Sequence, residues 1–272
     1  MELKKRLNQS VKFISEEFPA KIDTAIILGT GLNKTLSSLS PETEILYKDI
    51  PHLKTPTAPS HKGTLIIAKH KNQNVAIMRG RLHCYEGYSA QDVTYPIYLL
   101  KELGAKNLII TNAAGSLNKN FQPGSLILIQ DHINLTGKNP LIGPNDARLG
   151  TRFPSMHNAY NKKYIEIIKL IAKEQKIQIS EGIYAGLIGP NLETKAECRM
   201  LQRMGADMVG MSTVLEVIAG VYLNLKILGI SSITNMSNLF HSNTHKQSDI
   251  EHYAKKSQEN LNNLISEFLN QI

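Results

Sequence analysis

The stretch NLIITNAAGS, residues 107–116, decides the fold that the sequence predicts. Its first half is an apolar run, which is typical of a strand buried inside a sheet. Its second half consists of small residues, at the end of the strand where open α/β sheets bind their ligands. Small side chains there expose backbone N–H groups and leave room for a ligand. The same residues would also permit tight packing, and this segment alone does not decide between the two interpretations.

Other apolar runs alternate along the chain with segments of helical spacing, which is typical of an α/β fold. Pro96 predicts a kink or break in the helix after Ser89. No repeat, linker or change of composition marks a domain boundary, so a single domain is expected. We predict strands near 24–28, 64–68, 75–78, 107–111, 125–129, 179–188 and 226–234 and a further strand from residue 207. Helices are predicted near 2–18, 158–176 and 248–270, and others are expected to start after Ser89, at Glu193 and after Thr213.

The composition is that of a soluble globular protein, with 42% hydrophobic and 20% charged residues among 272. The net charge of +8 favours an anionic partner, either nucleic acid or a small anionic substrate. The lysines are scattered and form no long basic block, so we expect no nucleic-acid partner. The two cysteines form no CxxC pattern, and neither a signal peptide nor a membrane span is visible. These features predict a cytoplasmic protein with no membrane association.

The segment MRGRLHCYEGY, residues 78–88, contains the densest group of candidate ligand-binding residues. Gly80 allows a turn at the end of the preceding apolar run. In an extended chain, Arg81, His83 and Tyr85 would point to one side and could converge on a ligand that contains phosphate. The alternative is an edge strand with a solvated basic face, and spacing alone leaves both interpretations open.

Polar residues end several other predicted strands, and together they predict an anion site beside a pocket with one carboxylate and one amide. Each also has a structural interpretation, such as a simple turn at 29–33 or a carboxylate that favours a helix dipole. The residues are Thr30, Ser212 and Asn235 at strand ends and Glu193 at a helix start. His61, in the long loop 51–63, is by itself more typical of a surface histidine than of a ligand contact. No metal-ligand spacing, GxSxG elbow or Walker loop is present, which disfavours metalloenzymes, hydrolases and kinases.

Long motifs, in order along the chain, resemble one enzyme family. They are LGTGL at 28–32, GRLHCYEGY at 80–88, TNAAGSL at 111–117, DHINLTG at 131–137, GPNDAR at 143–148, RFPSM at 152–156, GPNLETKAECR at 189–199, VGMSTVLEV at 209–217 and ITNM at 233–236. With these motifs the chain resembles the trimeric purine nucleoside phosphorylases, which share a fold with the methylthioadenosine phosphorylases. The resemblance implies a single nucleoside phosphorylase domain over residues 1–272, an α/β fold with a central mixed β-sheet flanked by helices.

The resemblance also assigns roles to individual residues. It implies phosphate binding by Thr30, His61, Arg81, His83, the Ala113 backbone and Ser212. It implies nucleoside binding by Tyr85, Phe153, Leu192, Glu193, Met211, Asn235 and His245, with Asn235, His83 and Glu193 as the catalytic group. Tyr85 and Met211 would contact the ribose, and Phe153 would reach the site of a neighbouring subunit. Leu192 replaces a common phenylalanine, and Gln247 is the alternative to His245 at the 5′-hydroxyl.

The activity that the resemblance implies is phosphorolysis of inosine, guanosine and their deoxy forms to a free base and (deoxy)ribose 1-phosphate. The expected protein is a homotrimer that needs no cofactor or metal, with inorganic phosphate as co-substrate. Asn235 decides between related activities, because the methylthioadenosine branch usually carries aspartate there. The alternatives are a methylthioadenosine or adenosine phosphorylase and a nucleoside-binding protein without catalysis.

Overall fold

Strand β5 (Asn107–Ser116) is the centre of the sheet, because it pairs with three other strands. The computed structural model describes residues 2–32, 36, 39–240 and 247–272. The other strands are β1 (Thr24–Leu28), β2 (Pro41–Leu46), β3 (Thr64–His70), β4 (Gln73–Arg79), β6 (Leu126–Asn134), β7 (Ile179–Gly186), β8 (Met208–Gly210) and β9 (Lys226–Met236). The helices are α1 (Glu2–Glu17), α2 (Ala90–Glu102), α3 (Lys162–Glu174), α4 (Lys195–Arg203), α5 (Val214–Tyr222) and α6 (Gln247–Gln271).

The sheet runs β2-β3-β4-β1-β5-β8-β7-β6-β9 and closes on itself, since β9 pairs with β5 again. Strands β1 and β9 run parallel to β5, whereas β8 runs antiparallel to it. The expected mixed sheet flanked by helices is therefore confirmed.

The two halves of β5 have different neighbours on one side, and this difference creates the space for a site. Pairing with β1 ends at Ile110, and pairing with β8 begins at Gly115. Residues 111–114 lie between these two ladders, at the point where β1 ends and its loop begins. There Gly29 approaches so closely that a Cβ on it would lie 2.6 Å from the Cα of Asn112. The small residues of β5 thus serve both close packing and an opening in the sheet.

The structure shows no break of α2 at Pro96, and it contains one strand that the sequence did not predict. Pro96 lies inside α2 without ending it, in a turn whose neighbours Ile97, Leu99 and Leu100 are buried in the core. This packing stabilises the helix despite the missing N–H group. Strand β2 was not expected because its sequence PETEIL is polar and mostly exposed, as an edge strand tolerates.

The core lies between the sheet and the helices, and the apolar half of β5 is at its centre. Leu108, Ile109 and Ile110 have no solvent exposure. Helix α6 packs on β9, and α2 packs on α5. Among the residues that the structure describes, no helix is long and apolar enough to cross a membrane.

Replacing Ile109 with alanine should destabilise the whole fold. The side chain is fully buried in the central strand, and such truncations cost about 2–5 kcal/mol because they leave a cavity. Leu170, which is 60% exposed on α3, is a size-matched control whose change to alanine should alter stability by no more than about 0.5 kcal/mol. Urea denaturation of both variants measures the difference. Equal midpoints would contradict the central position of β5.

Candidate active site

A cavity of about 310 Å³ opens where the strand ends meet around residues 111–114. Its wall combines groups from the loops after β1, β4 and β8, the ends of β5, β8 and β9, the loop before β3, the loop before α4 and the start of α6. The lining residues are Gly29, Thr30, Ala58, Pro59, Arg81, His83, Tyr85, Asn112, Ala113, Ala114, Gly115, Pro190, Leu192, Glu193, Val209, Gly210, Met211, Ser212, Thr234, Asn235 and Ile250. The cavity thus contains most of the residues that the sequence singled out.

Arg81 is buried, with only 3% of its surface exposed, so the solvated basic face is not what the structure has. Its Nη1 donates to the hydroxyl of Ser212 at 2.9 Å, and its Nη2 donates to the carbonyl of Thr111 at 2.6 Å. The guanidinium therefore joins the end of β5 to the loop after β8. Because it is held on both sides, it presents a fixed positive charge to the cavity.

The turn at Gly80 is confirmed, with φ of +112°, but the extended chain does not continue past His83. Residues Cys84–Glu86 form a 3₁₀ turn, and Tyr85 reaches the same cavity through that turn. The Tyr85 ring stacks on the ring of His83 with centroids 4.6 Å apart. The convergence of the three side chains is therefore as expected, although the backbone that produces it is different.

Glu86 fixes the orientation of His83, since its Oε1 accepts from His83 Nδ1 at 2.8 Å. Its other oxygen accepts from the hydroxyl of Thr57 at 2.7 Å and the N–H of Ala58 at 3.1 Å. Burial alone would raise the pKa of Glu86, but the hydrogen bonds from His83 and Thr57 outweigh it and lower that pKa to about 2. An ionised Glu86 thus holds the long loop at the cavity mouth and leaves Nε2 of His83 for a ligand.

His61 lies against this group, with its ring centroid 5.1 Å from that of His83. Burial, together with the nearby His83 and Arg81, lowers the pKa of His61 to about 3, so the ring is neutral at pH 7. The N–H of Arg81 donates to its Nδ1 at 3.4 Å. The proton of a neutral ring therefore belongs on Nε2, which lies 3.3 Å from the hydroxyl of Thr30. His61 and Thr30 together offer donors to an anion.

Ser212 is placed in the wall by a constrained loop. Its N–H lies 3.3 Å from the hydroxyl of the fully buried Tyr184. The next residue, Thr213, has φ of +69° and ψ of −54°, which is unfavourable for a β-branched residue. The amide of Asn112 donates to the Thr213 hydroxyl at 2.8 Å. Buried hydrogen bonds on both sides thus hold the loop that carries Ser212.

Asn235 and Glu193 form the part of the cavity that suits a heterocycle. The Oδ1 of Asn235 accepts from the hydroxyl of Thr234 at 3.0 Å, and its Nδ2 lies 3.3 Å from the carbonyl of Met236. An amide has two N–H bonds, so one remains for a ligand. Glu193 is buried, and burial raises the pKa of its carboxyl. Leu192 and Met211 complete the apolar wall, with Leu192 42% exposed.

Among the described residues, one expected nucleoside-binding residue is not a lining group of the cavity. Phe153 lies outside the cavity with 88% of its surface exposed, and the guanidinium of Arg152 is 5.9 Å from its ring centroid. Of the two residues expected near a ribose 5′-hydroxyl, His245 lies outside the described residues. Gln247 is the first residue of α6.

The sequence interpretation missed residues that hold the site together, namely Glu86, Asn112, Thr213 and Glu216. Their signal was present as spacing, because His83 to Glu86 and Thr213 to Glu216 both match the three-residue interval of a capping box. Asn112 lies inside the small-residue run that was assigned to the ligand. Within the described part of the chain, no three metal-binding side chains come together.

Comparison with known proteins places the chain in a well-populated family. The family model of the phosphorylase superfamily matches residues 23–270. The chain is 44% identical to purine nucleoside phosphorylase 1 of Geobacillus stearothermophilus, over 85% of this chain and 84% of that protein. It is similar to purine nucleoside phosphorylase isoform 2 of Schistosoma mansoni in complex with cytosine and ribose-1-phosphate, with TM-score 0.93, 34% identity and coverage of 98% and 96%. A schistosoma purine nucleoside phosphorylase in complex with hypoxanthine is similar with TM-score 0.91, 31% identity and coverage of 98% and 97%.

The neutral state of His61 predicts a specific NMR result. With its pKa lowered to about 3 by burial and the nearby His83 and Arg81, the His61 ring signals should not shift between pH 8 and pH 5. Assignment uses the His61→Asn variant, whose spectrum lacks those signals, and ¹⁵N shifts should place the proton on Nε2. A titration of His61 within that pH range would contradict the neutral donor.

Proposed function

The chain belongs to the phosphorylase superfamily and, within it, to the purine nucleoside phosphorylases, and we propose that it cleaves purine nucleosides with inorganic phosphate. The products are a free purine base and ribose 1-phosphate. The observation that supports this proposal is the cavity itself, in which an arginine, a histidine and two hydroxyl groups lie beside a buried carboxylate and an amide. No cofactor is needed, because phosphate is the second substrate. The functional unit is one domain over residues 1–272.

In this proposal phosphate occupies the side of the cavity with Thr30, Arg81, His83 and Ser212. The hydroxyls, Nε2 of the neutral His61 and the backbone N–H of Ala113 supply further donors. Cleavage of the glycosidic bond develops positive charge on the sugar, as in glycoside hydrolysis generally. A phosphate dianion next to that sugar both stabilises the charge and captures the anomeric carbon. The ring of Tyr85, stacked on His83, contacts the ribose in this proposal, between the phosphate and the purine.

The purine lies between Glu193 and Asn235, with Leu192 and Met211 on the apolar wall. The remaining N–H of Asn235 donates to the purine N7, where negative charge develops as the base leaves. This contact strengthens in the transition state and so accelerates the reaction. Glu193 accepts from the ring N–H of a 6-oxopurine. We therefore propose inosine and guanosine, with their deoxy forms, as the substrates.

Two further features belong to the proposal. Phe153 and Ile142 are 88% and 74% exposed at the surface, a state that favours contact with another subunit. In the homotrimer proposed here, Phe153 closes the nucleoside side of a neighbouring cavity. We also propose that the enzyme works in the cytoplasm, in purine salvage.

The activity is tested by incubating the protein with inosine and following hypoxanthine release. Release should require inorganic phosphate and should produce ribose 1-phosphate in equal amount, because phosphate is the nucleophile. The Arg81→Ala variant should lose most phosphate-dependent release while retaining hypoxanthine binding. Equal release without phosphate would identify a nucleosidase and overturn the proposal.

The Asn235→Asp variant tests the choice of base. A carboxylate accepts from the 6-amino group of adenosine but has no N–H for the 6-oxo group of inosine, so a mismatch of about 1–3 kcal/mol is expected for inosine relative to adenosine. The ratio of kcat/KM for adenosine over inosine should therefore rise about tenfold or more. Asn120→Asp, an exposed change outside the cavity, is the matched control and should leave the ratio unaltered. An unchanged ratio in the Asn235 variant would remove this residue from base selection.

A further inference from the structure

Glu216 is a buried carboxylate that lies beneath the proposed phosphate site and outside the cavity lining. It is 2% exposed, in the first turn of α5. Its Oε2 accepts from the N–H of Thr213 at 3.0 Å, and its Oε1 lies 3.5 Å from Nε of Arg81. One side chain thus contacts the two groups that position Ser212.

The contact with Thr213 opposes a local strain. At φ of +69° and ψ of −54° the Thr213 backbone lies in a sparsely populated region, which costs about 1–3 kcal/mol unless the surroundings enforce it. The hydrogen bond from its N–H to Glu216, and that from Asn112 to its hydroxyl, provide the enforcement. If the backbone relaxed, the adjoining Ser212 would turn away from its present position.

The contact with Arg81 has a second effect. The other nitrogens of the guanidinium donate to Ser212, Thr213 and main-chain carbonyls. Glu216 supplies the counter-charge next to Nε of Arg81, and both side chains are buried, so water screens their attraction little. Removing a buried counter-charge leaves the cation free to seek other partners, so the orientation of Arg81 depends on Glu216.

From these contacts we propose that Glu216 is a positioning residue of the phosphate site. It holds Arg81 directly, and it holds Ser212 through Thr213. This inference rests on the proposed function, because it gives the anion site to phosphate. The effect of neutralising Glu216 on phosphate affinity distinguishes a positioning role from simple screening of the Arg81 charge. If Glu216 only screened Arg81, its neutralisation would tighten phosphate binding; if Glu216 positions the site, neutralisation weakens it.

The test compares Glu216→Gln with the wild type and with Glu216→Asp. Glutamine keeps the size and an acceptor for Thr213 but removes the charge, whereas aspartate keeps the charge and is one methylene shorter. Calorimetry with inorganic phosphate, without nucleoside, should show a dissociation constant about tenfold or more higher in Glu216→Gln, equal to about 1.4 kcal/mol. The KM for phosphate should rise in parallel. The KM for inosine should change by no more than about twofold, which corresponds to ~0.4 kcal/mol. Aspartate should recover part of the phosphate affinity.

Glu197→Gln is the matched control, because Glu197 caps α4 through the N–H of Thr194 at 2.7 Å but is exposed and contacts no arginine of the cavity. It should leave phosphate binding unchanged. Thermal denaturation separates positioning from folding: a lower melting temperature with unaltered phosphate affinity in Glu216→Gln overturns the inference, as does tighter binding. If Glu216→Gln does not fold, Glu216→Asp carries the test. Absence of phosphate-dependent turnover in the wild type overturns the proposed function instead.

Discussion

The buried guanidinium of Arg81 is the interaction on which the rest of the site depends. It joins the end of β5, through Thr111, to the loop after β8, through Ser212. These strands share only a short antiparallel ladder at Gly115 and Ser116, so the arginine connects them where the ladder leaves a gap. A cation without water must be satisfied by protein groups, and this requirement fixes the surrounding loops.

The closure of the cavity depends on contacts between segments far apart in sequence. Glu86 holds the loop at Thr57 and Ala58, while the hydroxyl of Ser60 donates to Glu251 of α6 at 2.8 Å. Helix α6 also packs so tightly on the loop after β1 that a Cβ on Gly31 would lie 2.6 Å from that of Ala254. The loops that bind the ligand are therefore braced by each other and by the last helix. Such bracing preorganises a site that loops alone would leave mobile.

The sequence predicted the strands and helices well because apolar periodicity reflects burial, and burial dominates in a sheet covered by helices. It located the residues that follow β1 and β4 and those that end β5 and β9, since these parallel strands bring their carboxyl ends to one edge. Ser212 is different, because it follows β8, which runs antiparallel to β5. It did not predict the closure of the sheet or β2, because neither leaves a periodic apolar signal. Glu216 and Asn112 were missed because a buried polar residue is recognised by its partners, and those partners are distant along the chain. The functional conclusion, including the reaction and its substrate, came from long motifs rather than from periodicity.

The charges around the proposed phosphate position explain how an anion can be both bound and released. Arg81 is paired with Glu216, and Glu86 is ionised because its pKa is about 2. His61 is neutral because its pKa is about 3. The buried carboxylates therefore offset the charge of Arg81, and a dianion at this position meets a dense set of oriented N–H and O–H donors. Oriented donors stabilise the anion where it must react, whereas excess net charge would bind substrate phosphate and product ribose 1-phosphate equally tightly. In a site of this kind the orientation of the donors stabilises the anion. The residues that hold the donors in position are therefore as important as the donors.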